Sequence, residues 1–197
     1  MKIYDISQEV FSCVVFPGDP APEQERVSAI ANGSVCNLTK FSMCAHNGTH
    51  VDAPYHFLDH GKRIHEVSLE RFIGPSFVIA HNGCVSGDDA KAILAKARQI
   101  DDECWKRILL KGDAEVSLEA AAVFAEAEIL LIGNESQTIG PVNAPMDVHL
   151  KLLGKEVVLL EGIRLEEVPE GGYLLNAAPL NLGGCDGAPC RAVLIKG

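Results

Sequence analysis

Apolar residues follow two rhythms along this chain. Short runs rich in Val, Ile and Leu recur from end to end and predict strands at 2–6, 42–52, 75–80, 106–111, 129–132, 156–160, 172–177 and 191–195. Many of these runs are rich in Val, Ile and Leu, which fits strands buried on both faces. Between them, apolar residues take a helical spacing, which predicts helices at 87–98, 117–127 and 144–153. Ser86 and the two aspartates behind it suit a helix N-terminus. Ser117 is a cap for the next helix, whose alanine-rich body is a strong helix former. Strand and helix alternate through the middle of the chain, so the expected class is α/β, with a mixed sheet core and flanking helices. No linker, repeat or low-complexity segment interrupts the pattern, and 197 residues suffice for one core, so residues 1–197 read as a single domain.

Two elements carry ionisable residues in places that need explaining. In the third helix, Asn143 suits the N-cap, Pro145 the first turn and Gly154 the stop. Met146, His149, Leu150 and Leu153 then share one face, and His149 points inward along it. A lone inward histidine is more often satisfied by core partners than bound to a ligand. Glu161 ends the apolar run Val157-Val158-Leu159-Leu160. A carboxylate there either emerges into solvent or needs a partner, because an unpaired buried charge is costly. Strand ends of α/β sheets are also where sites form.

The densest chemistry lies in His46-Asn47-Gly48-Thr49-His50-Val51-Asp52-Ala53-Pro54-Tyr55-His56; five of the seven histidines fall between His46 and His65. A helix would put His46 and His50 on one face, as in H-E-x-x-H zinc proteases, but position 47 is Asn. Gly48, Thr49, Val51 and Pro54 also disfavour a helix. An extended chain instead directs 46, 48, 50 and 52 to one face, with Gly48 leaving room for an ion. Pro54 then turns Tyr55 and His56 back over the site. His46, His50 and Asp52 suit zinc, manganese or iron(II) and leave coordination positions open, as catalysis requires. His56, with its ordinary pKa near the working pH, is the candidate proton carrier. The bland alternative is a histidine-rich surface strand. His60 and His65 read as solvated loop residues, and Cys44 as packing.

Composition narrows the partners. The net charge is −10 and no basic patch is evident, which argues against general nucleic-acid binding. Seven scattered cysteines form no C-x-x-C pair and read as reduced thiols. No apolar run approaches a membrane span, and no basic leader with an apolar core opens the chain, so a cytoplasmic location is the expectation.

The run His-x-Gly-Thr-His-x-Asp-Ala-Pro-x-His resembles the signature of the cyclase family of metal-dependent hydrolases, which includes bacterial kynurenine formamidase and isatin hydrolase. The likeness extends to Ile3-Tyr4-Asp5-Ile6-Ser7, Phe16-Pro17-Gly18-Asp19-Pro20, Leu160-Glu161-Gly162, Ala178-Pro179-Leu180 and the segment from Asp186 to Leu194. The resemblance implies a swivelling β/β/α fold. It also implies a first metal held by His46, His50 and Asp52, with Asp52 bridging to a second held by His149 and Glu161. Zinc is the first expectation, as one or two ions, with manganese an alternative. His56 is implied to be the acid/base, and a homo-oligomer (dimer or tetramer) is implied, in which the Phe16 loop reaches a neighbour's site. The implied reaction is hydrolysis of a small non-peptide amide, N-formylkynurenine being the specific case. Opening of a cyclic amide or lactone, as by isatin hydrolase, and metal binding without turnover are the alternatives. Two departures stand out. Phe16 replaces the substrate-stacking tryptophan of the formamidases, and Asn134-Glu135-Ser136-Gln137-Thr138-Ile139-Gly140 replaces an Asp-Thr-rich stretch.

Overall fold

The computed structural model describes all 197 residues. Its strands are β1 (Lys2–Asp5), β2 (Glu23–Ser28), β3 (Leu38–Ser42), β4 (His50–Asp52), β5 (Ile73–Ala80), β6 (Gly83–Val85), β7 (Arg107–Lys111), β8 (Ala114–Val116), β9 (Leu131–Asn134), β10 (Val158–Glu161), β11 (Gly171–Asn176), β12 (Gly187–Pro189) and β13 (Val193–Lys196). The helices are α1 (Gly87–Ile100), α2 (Leu118–Glu126) and α3 (Met146–Leu153).

Nine strands form one sheet in the order β1-β13-β11-β5-β7-β9-β10-β4-β12. Its centre, β5-β7-β9-β10, is parallel. Each of those connections carries a helix, α1, α2 or α3 in turn, because parallel neighbours need a long crossover. The flanking pairs are antiparallel. This is the expected α/β class with a mixed sheet.

Alternation along the central strands feeds two cores. Phe77, Ile79, Ile108, Leu110, Ile132 and Leu159 face the three helices. Val78, Leu109, Leu131, Val158 and Leu160 face the other way and meet Val51, Leu175, Ala188 and Leu194 from the antiparallel strands. Side chains from both ends of the strand order share this second core, so the sheet is curled around it. Burial on both faces is why the central strands are rich in consecutive apolar residues rather than alternating. The helix starts also follow the sequence: the Ser86 side chain accepts from Asp89 N, and Ser117 from Ala120 N.

Four expectations needed correction. The predicted strand 42–52 is two short strands separated by a turn over residues 43–49. Gly48 sits in that turn with φ +65°, a left-handed conformation that suits glycine. A Cβ there would meet the Cys13 side chain at 3.0 Å rather than fill the space between ligands. Its role is therefore backbone conformation and close packing. In α3, Pro145 is itself the N-cap and Asn143 lies outside the helix. The buried face of α3 is Val148, His149, Leu152 and Leu153, while Met146 and Leu150 are exposed. Neither strand of the hairpin β2–β3 was foreseen: Glu23–Ser28 is polar and solvent-facing, and Leu38–Ser42, exposed at every position, meets the predicted strand only at Ser42. No helix is long and apolar enough to cross a membrane.

Candidate metal centre and its pocket

The site lies at the carboxyl end of β9 and β10, where the parallel strands give way to antiparallel β4. Register explains which side chains meet. Glu161 pairs with His50 and Leu159 with Asp52, and residues opposite one another share a face. Leu159 faces the helices, so His50, Asp52 and Glu161 do too. There they meet His149, one turn into α3. Val51, between His50 and Asp52, points to the opposite core with Leu160. A three-residue strand thus supplies two polar groups to the site and one anchor to the core.

The six polar side chains expected at the site are brought together. His46 Nδ1 lies 2.8 Å from Asp52 Oδ1, and His50 Nε2 lies 3.5 Å from the same oxygen and 3.4 Å from Glu161 Oε2. His149 Nε2 lies 3.2 Å from Glu161 Oε1 and 3.7 Å from Asp52 Oδ2. Two groups of donor atoms result among these six, His46/His50/Asp52 and Asp52/His149/Glu161, each with its atoms within 4.8 Å of one another; a third, His46/His56/Asp186, draws a carboxylate from outside the six. The first two share Asp52. His56, carried on the turn Pro54–His56, stacks on His46 with ring centroids 4.0 Å apart. Tyr55, expected to return over the site with it, instead lies under the Arg63 guanidinium.

Backbone contacts fix two of the imidazole rings. His50 Nδ1 is 2.9 Å from Gly48 O, and His149 Nδ1 is 2.8 Å from Pro145 O. A carbonyl only accepts, so each Nδ1 carries its proton and each Nε2 is turned toward the carboxylates. Glu161 Oε1 accepts from Ile139 N at 2.9 Å. The stretch 134–140 supplies that amide. It is held by Asn134, which donates to Ala114 O and Thr138 O, and by Glu135, which accepts from Gly112 N and Leu165 N.

The electrostatics call for a cation. Burial disfavours a charged His46, yet the Asp52 charge and the bond to Asp186 outweigh it and hold its pKa up at about 10. His149 is also raised, its burial outweighed by the bond to Glu161 and the Asp52 charge. Burial would raise Asp52, but His46 and its hydrogen bond hold it well below the carboxylate range. Asp52 Oδ2 is buried without a hydrogen-bond partner, a costly state for an anionic oxygen. Imidazole nitrogens locked toward two buried carboxylates, one with an unsatisfied oxygen, form a donor set that fits a divalent cation.

One participant was not foreseen. Asp186 Oδ2 accepts from His46 Nε2 at 2.9 Å and from His56 Nδ1 at 3.1 Å. These bonds hold its carboxyl far below the usual range. It is 140 residues from His46 in sequence, and no local pattern signals the pairing.

The cluster opens into a cavity of about 520 Å³ whose wall includes Phe16, Asp19, Cys44, Phe57, Gln137 and Thr138. Phe16 is half-buried at its mouth, in a loop closed by Asp19 N donating to Phe16 O. Cys44 reaches the wall but belongs to none of the donor groups. His60 is exposed in its loop, and exposed His65 accepts from Gly184 N.

The family described as "Putative cyclase" matches residues 4–140, a span that includes His46, His50, Asp52 and His56. The chain belongs to the cyclase family. Its relatives include the kynurenine formamidase of Salinibacter ruber, 32% identical over 98% of this chain and 97% of that protein. A solved structure described as a potential metal-dependent hydrolase with cyclase activity has a TM-score of 0.81 at 27% identity, covering 98% of this chain and 96% of that one. Isatin hydrolase A from Labrenzia aggregata, solved with benzyl benzoate, shares the cyclase-family fold with a TM-score of 0.81 at 20% identity, covering 98% of this chain and 93% of the other.

Proposed function

We propose that this chain is a metal-dependent hydrolase of a small non-peptide amide, with an aryl formamide such as N-formylkynurenine as the specific substrate. The observation that carries the reading is the pair of donor groups sharing Asp52, set in an open cavity with His56 beside them. His46, His50 and Asp52 would hold one cation, and Asp52, His149 and Glu161 a second. A divalent cation there supplies a Lewis acid for the carbonyl and lowers the pKa of a bound water. Zinc suits the mixture of imidazole and carboxylate, and manganese is compatible with it.

This chain's own residues account for the rest. His56 takes a proton from the attacking water and returns it to the leaving nitrogen, so that a free acid and an amine are formed. Phe16 and Phe57 offer apolar walls to an aryl group. Phe16 has less stacking area than the tryptophan of the formamidases, so we infer a weaker grip on the ring without loss of the chemistry. The relatives named kynurenine formamidase support the formamide over the cyclic amide. Metal binding without turnover is disfavoured by the open cavity, since a structural site closes four ligands around its ion.

We also infer a homo-oligomer. The hairpin β2–β3 lies outside the main sheet and exposes Val27, Ile30, Leu38 and Phe41, an apolar surface that a second copy would cover. All seven cysteines are free, which suits the reducing cytoplasm.

The test is hydrolysis of N-formylkynurenine by metal-reconstituted protein, with isatin in parallel and His56→Ala as control. The expected result is formamide turnover with kcat lower by about 10²–10⁴-fold in the variant. Tight metal binding with no turnover of either compound would sink the formamidase reading.

A further inference from the structure

Asp186 has no role in the reaction as described so far, yet it touches both the acid/base and a metal-side histidine. We propose that Asp186 is a positioning residue: its carboxylate holds His56 in the Nδ1–H tautomer and anchors the outer nitrogen of His46. The proposal rests on the reading of His56 as the acid/base and extends it.

Three observations converge. The first is the shared oxygen. Asp186 Oδ2 lies 2.9 Å from His46 Nε2 and 3.1 Å from His56 Nδ1. An ionised carboxylate only accepts, so both nitrogens donate. The proton of neutral His56 is then on Nδ1, leaving the Nε2 lone pair for a substrate or water proton. His46 likewise presents Nδ1 to the Asp52 side, where that atom lies 2.8 Å from Asp52 Oδ1. The arrangement has the form of a carboxylate–histidine–metal triad fused to a carboxylate–histidine base.

The second observation is the stack. The two imidazoles lie 4.0 Å apart at 27°. Stacking alone is kept when either ring flips by half a turn about its Cβ–Cγ bond, so it leaves open which nitrogen faces which partner. A single oxygen bonded to both removes that freedom and sets their relative rotation.

The third is the backbone. Asp186 O accepts from Ala53 N at 2.9 Å, directly before the turn that carries His56. At the next residue, Gly187, an added Cβ would meet His46 Cε1 at 2.7 Å and Val51 O at 2.7 Å. The chain therefore passes His46 as closely as a glycine permits, which fixes the Asp186 backbone beside that ring, and the two hydrogen bonds hold its 41% exposed carboxylate there. His56 itself is 28% exposed at its side chain and has no other hydrogen bond from its ring. Without Asp186, nothing fixes its tautomer.

The experiment compares wild type with Asp186→Ala and Asp186→Asn. Three properties are read: the His56 tautomer by ¹⁵N–¹H NMR of labelled imidazoles, metal affinity by titration, and kcat and KM at saturating metal. The expected result is an Nδ1–H signature for His56 in wild type that is lost in Asp186→Ala. Metal affinity and kcat each fall by about 10–100-fold, the range for outer-shell partners of ligands, with KM within about two-fold. Asp186→Asn keeps an accepting oxygen and recovers part of each loss. A merely structural role would lower thermal stability without moving the tautomer or splitting kcat from KM. An unchanged tautomer and wild-type kcat in Asp186→Ala would overturn the proposal. The NMR and metal readouts need no substrate, so they decide it even if the formamide proves wrong. Full activity of His56→Ala, in contrast, would defeat the acid/base reading while leaving the measured tautomer as it is.

Discussion

Gly162→Ala is a substitution one residue beyond Glu161 whose cost can be worked from the backbone. Gly162 has φ +69°, in the left-handed region. There an alanine costs about 1–2 kcal/mol. The added Cβ would also press on Gly48 O and the Gln137 amide, and lie 2.6 Å from Gln8 Nε2. The side chains could give way, but Gly48 O is backbone. Overpacking of this kind costs about 1–3 kcal/mol. Together these give about 3 kcal/mol, which for a domain of this size lowers Tm by about 6–12 °C. The displacement also has a direction. Gly48 O is the acceptor that fixes His50 Nδ1, and Gly162 O accepts from Thr49 Oγ1 at 2.7 Å and Gln8 Nε2 at 2.8 Å. Any relief of the clash moves the carbonyl that aims His50. Urea denaturation and metal titration on the same variant should therefore both change, with metal affinity falling at least ten-fold. A loss under about 1 kcal/mol with unchanged affinity would refute the argument that this glycine is required by the close approach of β10 to the Gly48 turn.

Other outcomes follow from the same geometry. His149→Ala removes a donor from only one of the two groups sharing Asp52, so elemental analysis should show metal content falling toward one equivalent; an unchanged content would contradict the two-group reading. Thr138→Val should leave stability unchanged or raise it by up to about 1 kcal/mol in a thermal melt, because Thr138 Oγ1 is buried with no partner. Chelation should make the melt pH-dependent. His46 is raised from 6.5 to about 10, so its contribution in stripped protein is full below pH 6.5 and is lost as pH rises through about 10. That loss is on the order of a few kcal/mol. Asp52 and Asp186 are depressed, so their contribution is present above the ordinary carboxylate range and is lost only on strong acidification. With metal bound, His46 is already deprotonated and the alkaline loss should vanish; a stripped protein equally stable at pH 6 and pH 10 would overturn this assignment.

What could be read from the sequence was whatever is written in local order. The central strands carry consecutive apolar residues because both of their faces are buried, and α1 and α2 start at their own serine caps. His50 and Asp52 alternate with Val51 along a strand, and this period of two placed them together on one face before any fold was known. His46 reached the same cluster by another route. It comes in from a turn, so the extended reading placed it in the cluster through the wrong geometry, and Gly48 was given a gap-making role in place of its left-handed backbone. The failures share a cause. Asp186 meets His46 and His56 only because β12 pairs with β4, with Gly187 opposite Asp52. Glu161 is oriented by Ile139 N from a different strand end. Neither contact leaves a trace in spacing or periodicity, because both depend on strand order, and strand order is a property of the folded sheet. Ligands borne by one element are legible from its period. The groups that aim those ligands come from other elements, so the first polar shell around a site is where a structure adds most to its sequence.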